Sequence, residues 1–200
     1  MSATELIPVT LRRALGDRTY EKRKTAAVQL ERSIKVLLNK GQDDAVLATI
    51  DVLREDFVES ADPNMRKGGL IGLSAAAIAI GHDKLPDFLD AVAAPALVLI
   101  SDEDPRVRYN ACEAMYNITK VAQSGILAIF NEVLAAVCDA CGDVDDEVKN
   151  GAQLLDRLVK DVVMAAPDID VNSLVGLLRE RLRVRSPFVR SLVLGWLAVL

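Results

Sequence analysis

A short phrase recurs along this chain every 41 or 42 positions, and few folds accommodate a period of that length. Its clearest copy, DPRVRYNACEAMYNITKVA, runs from Asp104 to Ala122. Asp104 followed by Pro105 is the arrangement of a helix N-cap with proline at the first helical position. Val107, Ala111, Ala114, Ile118 and Val121 then return at steps of four, three, four and three, laying one apolar stripe along a helix. Forty-two residues earlier, Asp62, Pro63, Met65, Arg66, Gly69 and Gly72 take the same places. Forty-one later stand Asp145, Val148, Lys149, Ala152 and Leu155, and forty-one beyond those Ser186, Val189, Arg190, Val193 and Trp196. A more ragged copy, DRTYEKRKTAAVQL, puts Lys24 forty-two residues before Arg66.

Periods of about 40 to 47 residues built from helix pairs belong to HEAT and armadillo arrays, where each pair buries its apolar face against the next. The chain is therefore expected to be all-α: a right-handed α-solenoid of about five HEAT-type helical hairpins forming one rod, with units over roughly 5–40, 42–81, 85–122, 124–165 and 170–200. Its composition, 51% hydrophobic with only 4% aromatic, favours close helix packing over strands. Pro8 is expected at the start or in the first turn of a helix over 5–15, and Gly41 to stop a long helix over 20–39. Pro95 is expected to bend the helix over 85–100, and Pro167 to break the chain before a last pair over 172–183 and 187–200. In RKGGLIGLSAAAIAIG, Gly68, Gly69 and Gly72 lie inside a helical pattern at a cost of about 1 kcal/mol each. With no strand before them and no Gly-Lys-Ser/Thr ending to cradle a phosphate, they are expected to let a neighbouring helix come close. The last residues, VLGWLAVL, stay apolar and periodic without a cap, so the array is expected to be truncated at its C-terminal end.

Several classes of function are disfavoured. A net charge of −5 and a pI near 5.0 argue against a general nucleic-acid or anionic-membrane surface. Three cysteines are too few and too odd in number for a disulfide framework, which points to a reducing cytoplasmic compartment. Cys138 and Cys141 form a C-x-x-C, yet zinc needs four ligands and only His82 and Cys112 remain to complete the set. They read as buried helical cysteines. The apolar runs are interrupted before the roughly 18 residues that a membrane span requires, and no signal-peptide layout opens the chain, so a soluble protein is expected. Asp62, Asp104 and Asp145 precede helices, while Asp156 with Lys160 and Arg157 with Asp161 are four apart on a helix surface. Those uses are structural, and no catalytic constellation, cofactor or metal is expected.

Three features are candidates for binding. The basic residue that recurs at 24, 66, 108, 149 and 190 either forms an internal ladder to the turn aspartates or lines a surface for an acidic partner; the ladder explains why the pairing with Asp recurs. Arg179, Arg181, Arg183, Arg185 and Arg190 form a basic cluster suited to an acidic segment or lipid headgroups, or else a solvated helix end. Finally, where the third unit carries Glu113 and Asn117 off its core stripe, the fourth has Leu154 and Leu158, and the second has Ile71 at the first of these places. Such a swap marks either a contact with a neighbouring helix or an exposed interaction patch. Ile71, Leu154 and Leu158, with Arg179, Arg181 and Arg183 as rim, are the predicted partner-binding residues.

At YEKRK (Tyr20 to Lys24), RKGGLIGL (Arg66 to Leu73), RYNACEAMYNITKVA (Arg108 to Ala122), LLDRLVKD (Leu154 to Asp161) and LLRERL (Leu177 to Leu182) the chain resembles the vacuole-morphology scaffold family. The resemblance extends over nearly the whole chain, and the RKGGLIGL string is not shared by generic HEAT repeats. It implies a non-catalytic HEAT-repeat scaffold that holds the phosphatidylinositol 3-phosphate 5-kinase (PIKfyve in animals) together with a Sac-type polyphosphoinositide phosphatase. The implied site of action is the endosomal and vacuolar membrane, reached indirectly, in support of phosphatidylinositol 3,5-bisphosphate turnover. This chain would be the N-terminal arm and would bind the kinase, the phosphatase and self-association falling mainly to a missing C-terminal part. A peripheral phosphoinositide-binding protein, or a cargo or small-GTPase adaptor, is the alternative.

Overall fold

The computed structural model describes residues 3–166 and 171–199, and among the described residues every regular element is helical. The chain opens with α1 (Ala3–Leu6) and α2 (Val9–Leu15), separated at Pro8, which takes the N-cap position of α2. α3 (Tyr20–Asn39) ends before Gly41, whose φ of +66° is the left-handed stop expected there. α4 (Asp43–Leu53) runs on into a π turn, Arg54–Val58. α5 (Pro63–Ile80) is followed by a 3-10 turn, Leu85–Phe88, then α6 (Leu89–Val98), which contains Pro95, and a second 3-10 turn, Leu99–Ser101. α7 (Pro105–Ala122) leads through a 3-10 segment, Gln123–Ile129, into α8 (Phe130–Ala140). α9 (Asp146–Ala165), α10 (Val171–Arg181) and α11 (Pro187–Leu197) complete the order. The break predicted at Pro167 lies outside the described residues.

Two layers result. α3, α5, α7 and α9 pack side by side in chain order and form a front layer; α4, α6 and α8 do the same behind them. The apolar stripe of α7 is the reason in miniature, because Val107, Ala111, Ala114 and Ile118 are buried together with Cys112 and Met115. Only Val121, at the end of the predicted stripe, is half-buried, and Ala122 is buried beside it.

The starts of α5, α7, α9 and α11 are built alike. Asp62 Oδ1 accepts from Asn64 N–H at 2.8 Å, Asp104 Oδ1 from Arg106 and Val107, Asp145 Oδ1 from Glu147 and Val148, and Ser186 Oγ from Val189. Each such cap contributes about 1 kcal/mol by satisfying backbone donors that no helix can pair internally. The glycines of α5 act as expected of small residues. A Cβ on Gly68 would stand 2.3 Å from the Leu15 carbonyl oxygen, and one on Gly69 within 2.9 Å of Val58, so α2 and the π turn lie against bare backbone.

One expectation needs correction. The helical stretch Pro105–Ala140 is, by length and composition alone, apolar enough to cross a membrane. Its apolar residues serve the array instead: Ile118, Ala122, Ile126 and Val133 are buried in the core, and Gln123, with a left-handed φ of +49°, breaks the helix between α7 and α8.

Candidate partner-binding face

Two of the recurrent cations, Arg66 and Arg108, form rungs between successive front helices. Arg66 on α5 donates through Nη1 to the carbonyls of Ser60 and Ala61, both at 3.0 Å, and so closes the turn behind its own helix. Its Nη2 reaches forward to Asp102 Oδ1 at 3.0 Å, while Nε lies 2.8 Å from Oδ2, off the line of its N–H. Arg108 on α7 repeats the arrangement: Nη1 donates to the carbonyls of Asp102 and Glu103, and Nε and Nη2 grip both oxygens of Asp143 at 2.7 and 2.8 Å. Asp102 and Asp143 also accept the backbone N–H of the capping Asp104 and Asp145, each at 2.8 Å. The turn carboxylates used are thus two residues before the caps. All four side chains are nearly buried, and the guanidinium of Arg108 holds the Asp143 carboxyl below the usual carboxylate range.

In the first unit the rung position is Arg23, not Lys24. Arg23 is buried and donates to the carbonyls of Asp17 and Arg18, six and five residues back, as Arg66 and Arg108 do; Lys24 is exposed. The turn before α3 lacks the Asp-Pro landmark, and Thr19 makes no side-chain capping bond, so the register of this unit carries no marker good to one residue. Lys149 pairs with Asp146 of its own helix, and Arg190 donates to the Val184 carbonyl; neither reaches a following turn. For Arg66 and Arg108 the ladder reading holds, and their side chains are occupied.

The rungs lie at the helix starts, away from the middle of the front layer. Two cavities adjoin there. One, between α5 and α7, is lined by Ile71, Ser74, Asn110, Glu113 and Asn117, with Tyr20 of α3 at its edge. The other, between α7 and α9, shares Glu113 and Asn117 and adds Tyr109, Tyr116 and Leu154. Ile71 and Leu154 therefore stand on opposite sides of the Glu113–Asn117 face of α7, as their common place in the period requires. Leu154 is 54% exposed, a large apolar side chain in water; Ile71 is half-buried and packed on the core, and Leu158, one turn beyond Leu154, is also half-buried.

The arginine cluster lies elsewhere. Arg179 and Arg183 are exposed, while Arg181 is half-buried and close enough to Cys138 of α8 to pull down the pKa of its thiol, although burial dominates and the thiol is still pushed up to about 11. None of the five arginines lines either cavity. The cysteines behave as buried apolar residues: burial pushes Cys112 up to about 12 and Cys141 to about 11, and Cys141 Sγ donates to the Cys138 carbonyl. Among the described residues no group of His, Cys, Asp and Glu is arranged to hold a metal ion.

Sequence reasoning missed one junction. Trp196, fully buried on α11, donates Nε1–H to Asp156 Oδ1 of α9 at 2.8 Å and meets Phe130 of α8 edge-on. Lys160 bonds Asp156 Oδ2 at 2.5 Å and lies over the indole, so the predicted Asp156–Lys160 helix pair also seats the last helix. The signal was the chain's single tryptophan at a core place of the period.

Residues 64–161 match a family model described as the Vacuolar 14 Fab1-binding region. A VAC14 homologue of Arabidopsis thaliana is 40% identical over 99% of this chain, and one of Schizosaccharomyces pombe 36% identical over 94%. The chain is thus similar to part of the Vac14 proteins over almost its whole length. It spans 26% and 28% of those two relatives' lengths, and 18% of the Vacuole morphology and inheritance protein 14 of Saccharomyces cerevisiae, to which it is 39% identical over 77% of its own length. Among solved structures, the TOG domain of Crescerin superposes with a TM-score of 0.58 at 18% identity, covering 99% of this chain and 78% of that one. A designed armadillo repeat protein gives 0.54 at 16% identity, covering 98% and 84%. These likenesses establish the helical-repeat solenoid fold. The matched Vac14 region begins with α5 and ends within α9, so it contains both full rungs, Ile71, Glu113, Asn117, Leu154 and Leu158, and leaves out the arginine cluster.

Proposed function

We propose that this chain is a non-catalytic scaffold element that binds a Fab1-type phosphatidylinositol 3-phosphate 5-kinase through the front faces of α5, α7 and α9. One observation carries the proposal: within the region similar to the Fab1-binding family, Leu154 offers an exposed apolar side chain on the wall of the cavity between α7 and α9, which adjoins the cavity between α5 and α7. Exposed apolar groups beside partly polar, partly aromatic walls are the usual anchors of protein interfaces. A stacked array contributes rigidity, since each helix pair is held by its neighbours and the face is set before the partner arrives. By holding kinase, and through other parts of a longer Vac14 chain a Sac-type phosphatase and further Vac14 copies, such a scaffold would raise local concentrations and support phosphatidylinositol 3,5-bisphosphate turnover at vacuolar and endosomal membranes.

The test is capture of the purified 5-kinase by this chain at two salt concentrations, with phosphoinositide vesicles as competing bait. Leu154→Arg is expected to abolish capture and leave the far-ultraviolet helical signal unchanged, because the side chain contributes little to the core. Leu154→Ala should weaken binding about tenfold, the usual cost of truncating an anchor. Undiminished capture by Leu154→Arg removes this face from the proposal. Vesicle binding without kinase binding would move the function to Arg179, Arg181 and Arg183.

A further inference from the structure

Among the described residues Glu113 is the one formally charged residue lining either cavity, and it belongs to both. Among the described residues its carboxylate makes no hydrogen bond and no ion pair, whereas Asp102 and Asp143 in the turns are each bonded to an arginine and to backbone. Its neighbours one turn away on α7 are Tyr109, Asn110, Tyr116 and Asn117, none of them basic. Asn110 already donates its amide to the Arg106 carbonyl and is not free to serve Glu113. The cavity walls withdraw water from the carboxylate although the side chain stays accessible, and this desolvation raises its pKa above the ordinary range. The carboxylate therefore stands at the junction of two cavities with no charge partner among the described residues. A cation entering there would supply one, and Tyr109 and Tyr116, whose aromatic rings can add a cation–π attraction, line the same cavity.

We infer that the protein segment docking on this face inserts a lysine or arginine side chain against Glu113, with an apolar neighbour of that residue resting on Leu154. The inference rests on the kinase-binding reading above and specifies the chemistry of the segment recognised. Charge complementarity selects a basic occupant over an acidic one. It is also consistent with the placement of the rungs: Arg66 and Arg108 are turned away into the turns and line neither cavity that Glu113 shares.

Binding of the 5-kinase to the 200-residue chain and to Glu113→Gln, Glu113→Lys and Leu154→Arg, measured by titration at low and high salt, tests this. Glu113→Gln is expected to weaken binding about tenfold and to flatten its salt dependence, since a partly accessible charge pair is lost while shape is kept. Glu113→Lys should remove binding altogether. All variants should retain their thermal unfolding midpoints, because neither side chain is part of the core. Binding by Glu113→Gln within twofold of the parent, or tighter, with an unchanged salt slope overturns the inference. If Leu154→Arg still abolishes binding in that case, the kinase-binding face stands and only the basic contact falls; if Leu154→Arg binds normally too, both fall.

Discussion

Asp143 concentrates the residue-scale physics of this chain. It accepts two charge-assisted bonds from Arg108 and one from the Asp145 backbone in a nearly dry turn, and its pKa in the folded state is depressed as a result. The stabilisation is complete above the unfolded carboxylate's pKa of about 3.9 and is lost as pH falls through the lower folded value. Asp143→Asn should therefore cost about 3 kcal/mol at neutral pH, by stranding the Arg108 guanidinium, and should flatten the acid limb of a stability-against-pH profile. Equal acid sensitivity in parent and variant, followed by urea unfolding below pH 5, would assign that limb to other carboxylates. At this scale the sequence was readable where a side chain answers to its own helix: the caps Asp62, Asp104 and Asp145, and the core places Val107 to Ile118, are where the period put them. It was not readable where the answer lies forty residues away, as with Asp156 and Trp196, or where two basic residues adjoin, as with Arg23 and Lys24. Glu113 escaped notice as a site for a related reason, since a lone acid on a helix surface acquires meaning only from the walls that other helices put around it.

Elements are held at distances set by the smallest residues. α2 and the π turn reach α5 because Gly68 and Gly69 present no side chain, and Leu15 and Phe57 fill the space. Gly68→Ala should accordingly lower stability by at least about 1–3 kcal/mol, because the clash is with backbone that cannot swing aside. Gly176, inside α10, has open space where its Cβ would stand, and Gly176→Ala is expected to raise stability by about 0.5–1 kcal/mol through helix propensity alone. Thermal melts of the pair, read by circular dichroism, should move in opposite directions. The glycine-rich string announced close packing in the sequence, but its contacts did not: neither α2 nor a π turn is foreshadowed by the spacing of Gly68 and Gly69.

For the whole molecule, stability is a sum over neighbours, and the sum is uneven. The front helices α5 and α7 each pack on a preceding and a following front helix, whereas α10 packs chiefly on α11. The last pair should then open first in denaturant. Trp196 is the chain's single tryptophan and is fully buried at that junction, so its fluorescence should redden at a lower urea concentration than the loss of helical signal; coincident transitions would mean that the array unfolds as one unit.

The rungs give that unevenness a mechanical meaning. Arg66 bolts α5 to the turn ahead of α7, and Arg108 bolts α7 to the turn ahead of α9, but Lys149 turns back to Asp146 and leaves the next turn, at Val184, without a carboxylate to grip. Pulled from its ends, such a chain is a stiff beam from α5 to α9 joined to a softer tail whose seat is the Asp156–Trp196 bond. A load borne by α10 and α11 would be spent in bending that joint, and the surface presented by Ile71, Glu113 and Leu154 would keep its shape under strain.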